Sequence, residues 1–397
     1  MMAERSESEE RKLGVLHVVS YFPPDRIGGL GEVVAHLHEA LLRAGHDSHV
    51  LTSGRTTGDP RIVRLPGGPT RFTLTCWRHL SRAKRADVVH VHHGEALLLL
   101  LLMRLLRVRV PIVLTLHVSL PHLMRSLRPF EVNGHRLGQV TGGFARAVRT
   151  RVRTFFDRWA MALADEVSFI SRSVAADVLP LGRAESARVI YNGLPARPTP
   201  NAVADPVEVL FVGTPSIRKR IQILPFVLAK IREKREGCRM RVIGFVPEDD
   251  VEFLRWARAL EVLDAFVFEG RMRSEEIAAY YAAAQVLLVP SAYEGLPMVV
   301  LEAYQLGLPC VATRVSGHPE VVEDGYNGFL VEVDRPDGMA QAVLSILEDP
   351  AKGRRMGARG KALIAERFGV ERQLRAYVEL YRGARSPLGG RARGFSP

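Results

Sequence analysis

Twice along this chain, short apolar runs alternate with stretches of helical period, and a proline-bearing segment divides the two sets. The first set comprises Val15–Tyr21, His46–Leu51, Val88–His92, Ile112–Leu116 and Val167–Ser171; the stretch Val33–Leu42, ending at Gly45, reads as the helix after its first strand. The second set comprises Val207–Val212, Met240–Phe245, Ala265–Phe268, Val286–Val289 and Cys310–Thr313. Runs that are apolar throughout mark strands covered on both faces, and their alternation with helices is the pattern of a doubly wound parallel sheet. Asn192–Asp205 holds Pro195, Pro198 and Pro200 with few apolar residues, so it reads as a linker. A chain of 397 residues also exceeds what one core usually supports. The expectation is therefore an α/β protein of two Rossmann-like, doubly wound parallel-sheet domains facing across a cleft, with ligands at the carboxyl ends of the strands. Residues 1–13 read as a disordered tail, 14–195 as the first domain, 196–206 as the linker and 207–368 as the second domain. Residues 369–385 read as a helix packing back on the first domain, and the Gly/Arg/Pro-rich residues 386–397 as a disordered tail.

Composition removes several classes. With 47% hydrophobic and 25% charged residues the chain is globular, not disordered. Its longest apolar run, Ala96–Met103, is eight residues, against the roughly 20 that a bilayer-spanning helix needs. Glu4, Glu7, Glu9 and Glu10 replace the basic stretch of a secretory signal, so the expected location is the cytoplasm. Cys76, Cys238 and Cys310 have neither an even count nor metal-ligand spacing, which fits reduced thiols.

Charge is uneven. Residues 1–200 hold 28 Lys/Arg against 17 Asp/Glu, and residues 101–160 hold eleven Arg against only Glu131 and Asp157, a local charge of +9. Phe144, Val148, Val152, Phe155, Phe156 and Trp159 recur at near-helical spacing among Arg146, Arg149, Arg151, Arg153 and Arg158. One reading is an interfacial helix facing an anionic acceptor or membrane surface, which would make the protein peripheral at the inner face of the cell membrane; the other is an apolar stripe facing the core under a solvated basic face. No recognition motif accompanies the charge, so nucleic acid is not expected as a partner.

The segment Pro290-Ser-Ala-Tyr-Glu294-Gly295-Leu296-Pro297, continuing through Met298 to Glu302, carries the strongest chemistry. Glu294 falls where a strand gives way to a helix and Glu302 two turns further on, about 12 Å along a helix axis. Helix-start amides near Gly295, Leu296, Pro297 and Met298 would offer donors and a positive dipole end to an anion. Gly29 and Gly31 follow the first strand, where a missing side chain permits close approach to phosphate or sugar. The spacing fails as a dinucleotide fingerprint at Val34. His90, His92 and His93 suggest a metal site only weakly: His90 and His92 share a strand face, but no carboxylate or Cys partner is evident, and no metal is expected.

The paired glutamates resemble the E-x7-E signature of retaining glycosyltransferase family 4. His17-Val-Val-Ser-Tyr-Phe-Pro-Pro with Gly28-Gly-Leu-Gly31, Tyr191-Asn192-Gly193, Thr313–Gly317, Pro319-Glu320 and Gly325-Tyr-Asn-Gly328 extend the resemblance over roughly residues 14–380. It implies the two-domain GT-B fold and a metal-independent, retaining hexosyltransferase without a cofactor. Glu294 would then contact the donor sugar and Glu302 the ribose. Lys219, after the strand ending at Gly213, would neutralise the donor diphosphate, and His117, ending the strand Ile112–Leu116, would lie near the donor sugar. Where the family usually has an Arg directly after the glycine this chain has Thr214, so either Arg218 or Arg220 reaches the phosphates instead or phosphate binding is weakened. Arg271, after Glu269-Gly270, would border the base. The implied partners are a nucleoside diphosphate sugar, UDP or GDP, and an acceptor that is a saccharide, a lipid-linked saccharide or a small molecule. Leaving phosphate would help deprotonate the acceptor on the same face, with domain closure excluding water. The alternatives are a soluble transferase acting on a natural product or sugar phosphate, and a catalytically silent binding protein.

Overall fold

The computed structural model describes residues 11–24, 29–54, 58–138, 143–179, 187–198, 200 and 207–384, without the side chains of residues 69 and 143–146. Both tails beyond residues 11 and 384, most of the expected linker and the first part of the glycine loop, 25–28, lie outside the described residues.

The chain divides into two compact units. The first comprises Met1–Leu116, Arg153–Ser168 and Val370–Pro397; the second comprises His117–Val152 and Phe169–Gly369. The strands of the first half are β1 (Gly14–Val18), β2 (Asp47–Ser53), β3 (Ile62–Leu65), β4 (Val88–His92), β5 (Ile112–Leu116), a hairpin of β6 (Phe130–Val132) and β7 (His135–Leu137), then β8 (Glu166–Phe169) and β9 (Arg188–Val189). Within the first unit the sheet runs β3-β2-β1-β4-β5-β8, and the pairs β1–β2, β1–β4, β2–β3 and β4–β5 are parallel. Every residue of β4 and β5 is buried, as their unbroken apolar character demands of central strands covered on both faces. The helix Val370–Gly383 belongs to this unit, where Tyr381 Oη lies 2.7 Å from His90 Nδ1 and Tyr377 Oη lies 3.1 Å from Thr115 Oγ1.

The second unit carries β10 (Val207–Val212), β11 (Met240–Ile243), β12 (Phe266–Gly270), β13 (Ala284–Val289), β14 (Cys310–Thr313) and β15 (Gly328–Val331). Its sheet runs β12-β11-β10-β13-β14-β15, and all five pairings are parallel. Renumbered within the unit, that order is 3-2-1-4-5-6, the doubly wound Rossmann arrangement. Val209, Phe211, Val242, Phe245, Phe253, Val286, Leu288 and Val311 form part of its continuous core.

The expected strands are found, some to the residue and the others with ends moved by a few residues, and β3, β9, β15 and the β6–β7 hairpin are additional. These are short or rich in polar residues, so they carry no long apolar run. The sheet order has a direct consequence for function: β10 and β13 are neighbours whose following connections leave in opposite directions, so the crevice at their carboxyl ends is the place for a ligand.

Candidate active site

The turn after β10 and the loop after β13 meet at that crevice. After Gly213 the chain forms a short turn, Ile217–Lys219, whose start is capped by Ser216, its side chain accepting from the Lys219 amide. Gly244, after β11, has φ +113°, and a side chain on it would lie 2.4 Å from the carbonyl oxygen of Gly213. Beyond β13, Ser291 and Glu294 lie in a loop anchored on both sides. Thr313 Oγ1 donates to the Ser291 carbonyl, and the Glu294 carbonyl accepts from the Gly317 amide at 2.9 Å. A Cβ on Gly295 would fall 2.2 Å from the His117 carbonyl oxygen, and one on Gly317 would fall 2.4 Å from the Gly295 carbonyl oxygen. Glycines are thus required where this loop is threaded between two backbones.

Three charged side chains converge there. Lys219 Nζ lies 2.7 Å from Glu294 Oε1, and Arg218 Nη1 lies 2.7 Å from Glu294 Oε2. Ser291 Oγ donates to Oε1 at 2.9 Å, and Arg218 also donates to the Tyr293 carbonyl at 3.1 Å. Glu294 and Lys219 are each only 8% exposed, so the pair is shielded from the screening that weakens surface bridges. Burial alone would raise the Glu294 pKa, but Lys219 and Arg218, with His318 behind them, outweigh it and hold the carboxyl well below the usual range. Two cations contact one carboxylate, so these three side chains carry a net +1 at a largely buried place. Such a site is poised for an anion.

The remaining candidates fall around this cluster to different degrees. His117 is buried directly after β5, its carbonyl against Gly295. Leu296 and Pro297 are buried, and Met298 Sδ lies 3.8 Å from Asn192 Nδ2. Glu302 lies in the helix Met298–Gln305 and accepts from Tyr281 Oη at 3.1 Å. The helix begins four residues after Glu294, with Pro297 as its N-cap outside helical geometry at ψ +87°; the axial separation expected for the two glutamates does not apply to that stretch. Thr214 and Arg271 are exposed. Arg220 is turned away from the cluster onto Asp334, so Arg218 is the arginine that joins Lys219 at Glu294. In the first unit Gly29 opens the helix Gly29–Arg43, and a Cβ on Gly31 would lie 3.1 Å from the Tyr21 carbonyl oxygen.

In the basic helix Gly143–Leu163, Arg149 and Arg153 are exposed, and Arg153 pairs with Glu95 at 3.0 Å. Phe155 is 53% and Trp159 48% exposed, as are Val148 and Val152 at 41% and 47%. This part of the stripe faces outward, not into a core; the Arg146 side chain lies outside the described residues.

His90 and His92 are joined by His17, which lies opposite His90 across β1–β4, and this is the one group of three potential ligands among the described residues. Both ring nitrogens of His90 are engaged, by Tyr381 Oη and by Thr115 Oγ1, each at 2.7 Å. That is the chemistry of a hydrogen-bonded core.

Reading the sequence missed Ser291, Tyr293 and His318. Tyr293 Oη accepts from the Ser119 amide at 2.8 Å, and His318 is fully buried with Nδ1 donating to the Thr313 carbonyl at 2.6 Å. Ser291 and Tyr293 stand inside the Pro290–Pro297 motif quoted above and His318 between two quoted motifs, so the only available signal was adjacency.

Comparison with known proteins bears on the family and the fold. Residues 27–197 match Glycosyltransferase Family 4 and residues 196–363 match Glycosyl transferases group 1. Glycogen synthase of Mycobacterium tuberculosis is 28% identical over 418 residues, covering 94% of this chain and 96% of that protein. Among solved structures, sucrose-phosphate synthase of Thermosynechococcus elongatus superposes with a TM-score of 0.76 at 23% identity, over 94% of this chain and 98% of the other. HepE of Anabaena in complex with UDP-glucose superposes with a TM-score of 0.73 at 20% identity, over 93% and 99%. With consecutive transferase families matched across its length and its fold shared with these structures, the protein is a glycosyltransferase of GT-B fold, related to the group 1 and family 4 enzymes.

Proposed function

We propose that the protein transfers a hexose from a nucleoside diphosphate sugar, with retention at the anomeric carbon and without a metal, to a soluble saccharide or sugar-phosphate acceptor. The observation that carries this reading is the buried Lys219–Glu294 pair, joined by the half-buried Arg218, at the switch point of the second sheet. A departing nucleoside diphosphate gains negative charge as the glycosidic bond breaks, and a preorganised pair of cations stabilises that charge. The diphosphate oxygen then accepts the acceptor hydroxyl proton on the face it has just left, and Glu294 orients the sugar through its hydroxyls. Support for the donor comes from the likeness to HepE, which was solved with UDP-glucose, and support for the acceptor from glycogen synthase and sucrose-phosphate synthase, whose names point to saccharide and sugar-phosphate chemistry.

The test is a thermal-shift panel of UDP-, GDP-, ADP- and dTDP-sugars, with and without Mg²⁺, followed by NMR of the product formed with glucose 6-phosphate or maltooligosaccharide. Stabilisation by one nucleotide that is indifferent to Mg²⁺, and a product of the donor's own anomeric configuration, are the expected results. Absence of any shift would overturn the donor assignment, and an inverted product the retaining one.

One observation favours a second acceptor reading. The outward stripe of Val148, Val152, Phe155 and Trp159, flanked by Arg149 and Arg158, suits an anionic membrane surface and so a lipid-linked acceptor. No described helix is long and apolar enough to cross a membrane. Sedimentation with anionic vesicles separates the two: an enzyme of soluble acceptors stays in the supernatant at physiological salt.

A further inference from the structure

Lys219 is followed by a residue in a conformation that a side chain resists. Arg220 has φ +53°, in the left-handed region, and so does Asp334 at φ +60°. These two left-handed residues are paired with each other. Arg220 Nε donates to Asp334 Oδ1 at 2.9 Å and Nη2 to Oδ2 at 3.4 Å, a two-pronged contact between guanidinium and carboxylate. Nη1 points the other way, donating to the carbonyls of Ser126 at 3.2 Å, Arg128 at 3.4 Å and Ile217 at 3.2 Å. The guanidinium carbon stands 3.8 Å from the ring centroid of Phe130, and the whole residue is 5% exposed.

One side chain therefore joins three segments distant in the chain: the turn that bears Lys219, the loop after β15 that bears Asp334, and the run from the end of helix Leu120–Ser126 to β6. A glycine would take the left-handed conformation without resistance. The arginine keeps it only because every part of its head group is held. Backbone strain that persists because its surroundings over-determine it is a mark of a preorganised site.

We infer that Arg220 is a positioning residue for transfer: it does not contact the donor, but by clamping its own turn to Asp334 and to the 126–130 segment it fixes where the neighbouring Lys219 meets the leaving diphosphate. This rests on the transfer reading above. Donor phosphates are held by groups whose placement within a fraction of an ångström sets the rate, so loosening the turn acts on turnover more than on the fold.

The experiment compares wild type with Arg220→Gly, Arg220→Lys and Asp334→Asn, reading kcat and KM for transfer, the nucleotide Kd by calorimetry, melting temperature, and recovery of activity in millimolar guanidinium. Gly and Asn both accept a left-handed backbone, so these variants remove the clamp and leave the turn. Arg220→Gly is expected to lower kcat by about a hundredfold and to regain part of it with added guanidinium. Asp334→Asn is expected to lower kcat by about tenfold with an unchanged melting temperature, and Arg220→Lys should not restore the wild-type rate because a lysine cannot fork. Wild-type kcat and KM in Arg220→Gly, or a loss of rate in Asp334→Asn that only tracks unfolding, would overturn the inference. A wild-type chain that neither binds nucleotide nor transfers sugar would overturn the transfer reading first, and this inference with it.

Discussion

Lys219 and Glu294 follow different strands of the second unit's sheet and meet at 2.7 Å, buried, at the carboxyl ends of those adjacent strands. With Arg218 on the other carboxylate oxygen, the glutamate neutralises two cations only in part. That asymmetry explains why the cluster is suited to a diphosphate, and it sets the direction of the substitutions below.

Glu294→Gln keeps the shape of the side chain and removes its charge. Transfer should slow by about 10²–10³-fold, because the group proposed to orient the sugar no longer balances the cations around it. Nucleotide affinity should hold or tighten, since a negative charge has left the phosphate site. Steady-state rates with calorimetry on the free nucleotide check this; weakened nucleotide binding at full turnover would contradict the assigned role.

Lys219→Ala should act in the opposite sense on binding. Nucleotide affinity should fall by about tenfold or more, since a charge-assisted contact to phosphate is lost. Stability should drop by about 1–3 kcal/mol, less than the ~3–5 kcal/mol of a wholly stranded buried charge, because Arg218 stays beside Glu294. Urea unfolding and titration with nucleotide report the two effects separately.

Gly295→Ala and Gly317→Ala should each destabilise the protein by about 1–3 kcal/mol and abolish transfer, because the added carbon meets a backbone carbonyl that cannot move aside. The distances are 2.2 Å and 2.4 Å respectively. Gly237→Ala is the control: nothing lies within 4 Å of its new carbon, and its melting temperature should match the wild type. Equal melting curves for all three variants would refute the packing argument.

Acid should weaken the fold through three buried histidines. Burial lowers the pKa of His17 to about 3 and those of His38 and His318 to about 4, from an ordinary 6.5. The unfolded chain takes up these protons as pH falls below 6.5, whereas the native state refuses them until its lower values are reached. The contribution is therefore fully present above pH 6.5 and lost progressively as pH falls towards 4. The urea midpoint should decline from about pH 7 to about pH 5, and His38→Gln should flatten that slope. A midpoint independent of pH over this range would show that these imidazoles are not buried neutral.

The two-sheet architecture was legible in the sequence because a parallel strand covered on both faces needs an unbroken apolar run. Val88–His92, Ile112–Leu116, Val207–Val212 and Cys310–Thr313 were located to the residue. Ile62–Leu65 and Gly328–Val331 were not, since Arg64 and Gly328 interrupt the apolar character that marks a strand. Glu294 and Glu302 stood out through their spacing, and Lys219 through the resemblance to family 4.

Partnership was another matter. Arg218, Lys219 and Arg220 are consecutive basic residues, and nothing in their order tells which faces the ligand crevice. The turn's left-handed exit at Arg220 decides it, sending two head groups to Glu294 and the third to Asp334. Likewise the stripe at Val148–Trp159 has the same period whether it faces core or solvent, and only its packing shows that it faces out. Sequence alone determined which segments become strands and helices and which residue types carry the chemistry, because those depend on local periodicity and backbone freedom. The pairing of charges depends on contacts between residues far apart in the chain, and only the tertiary structure settled it.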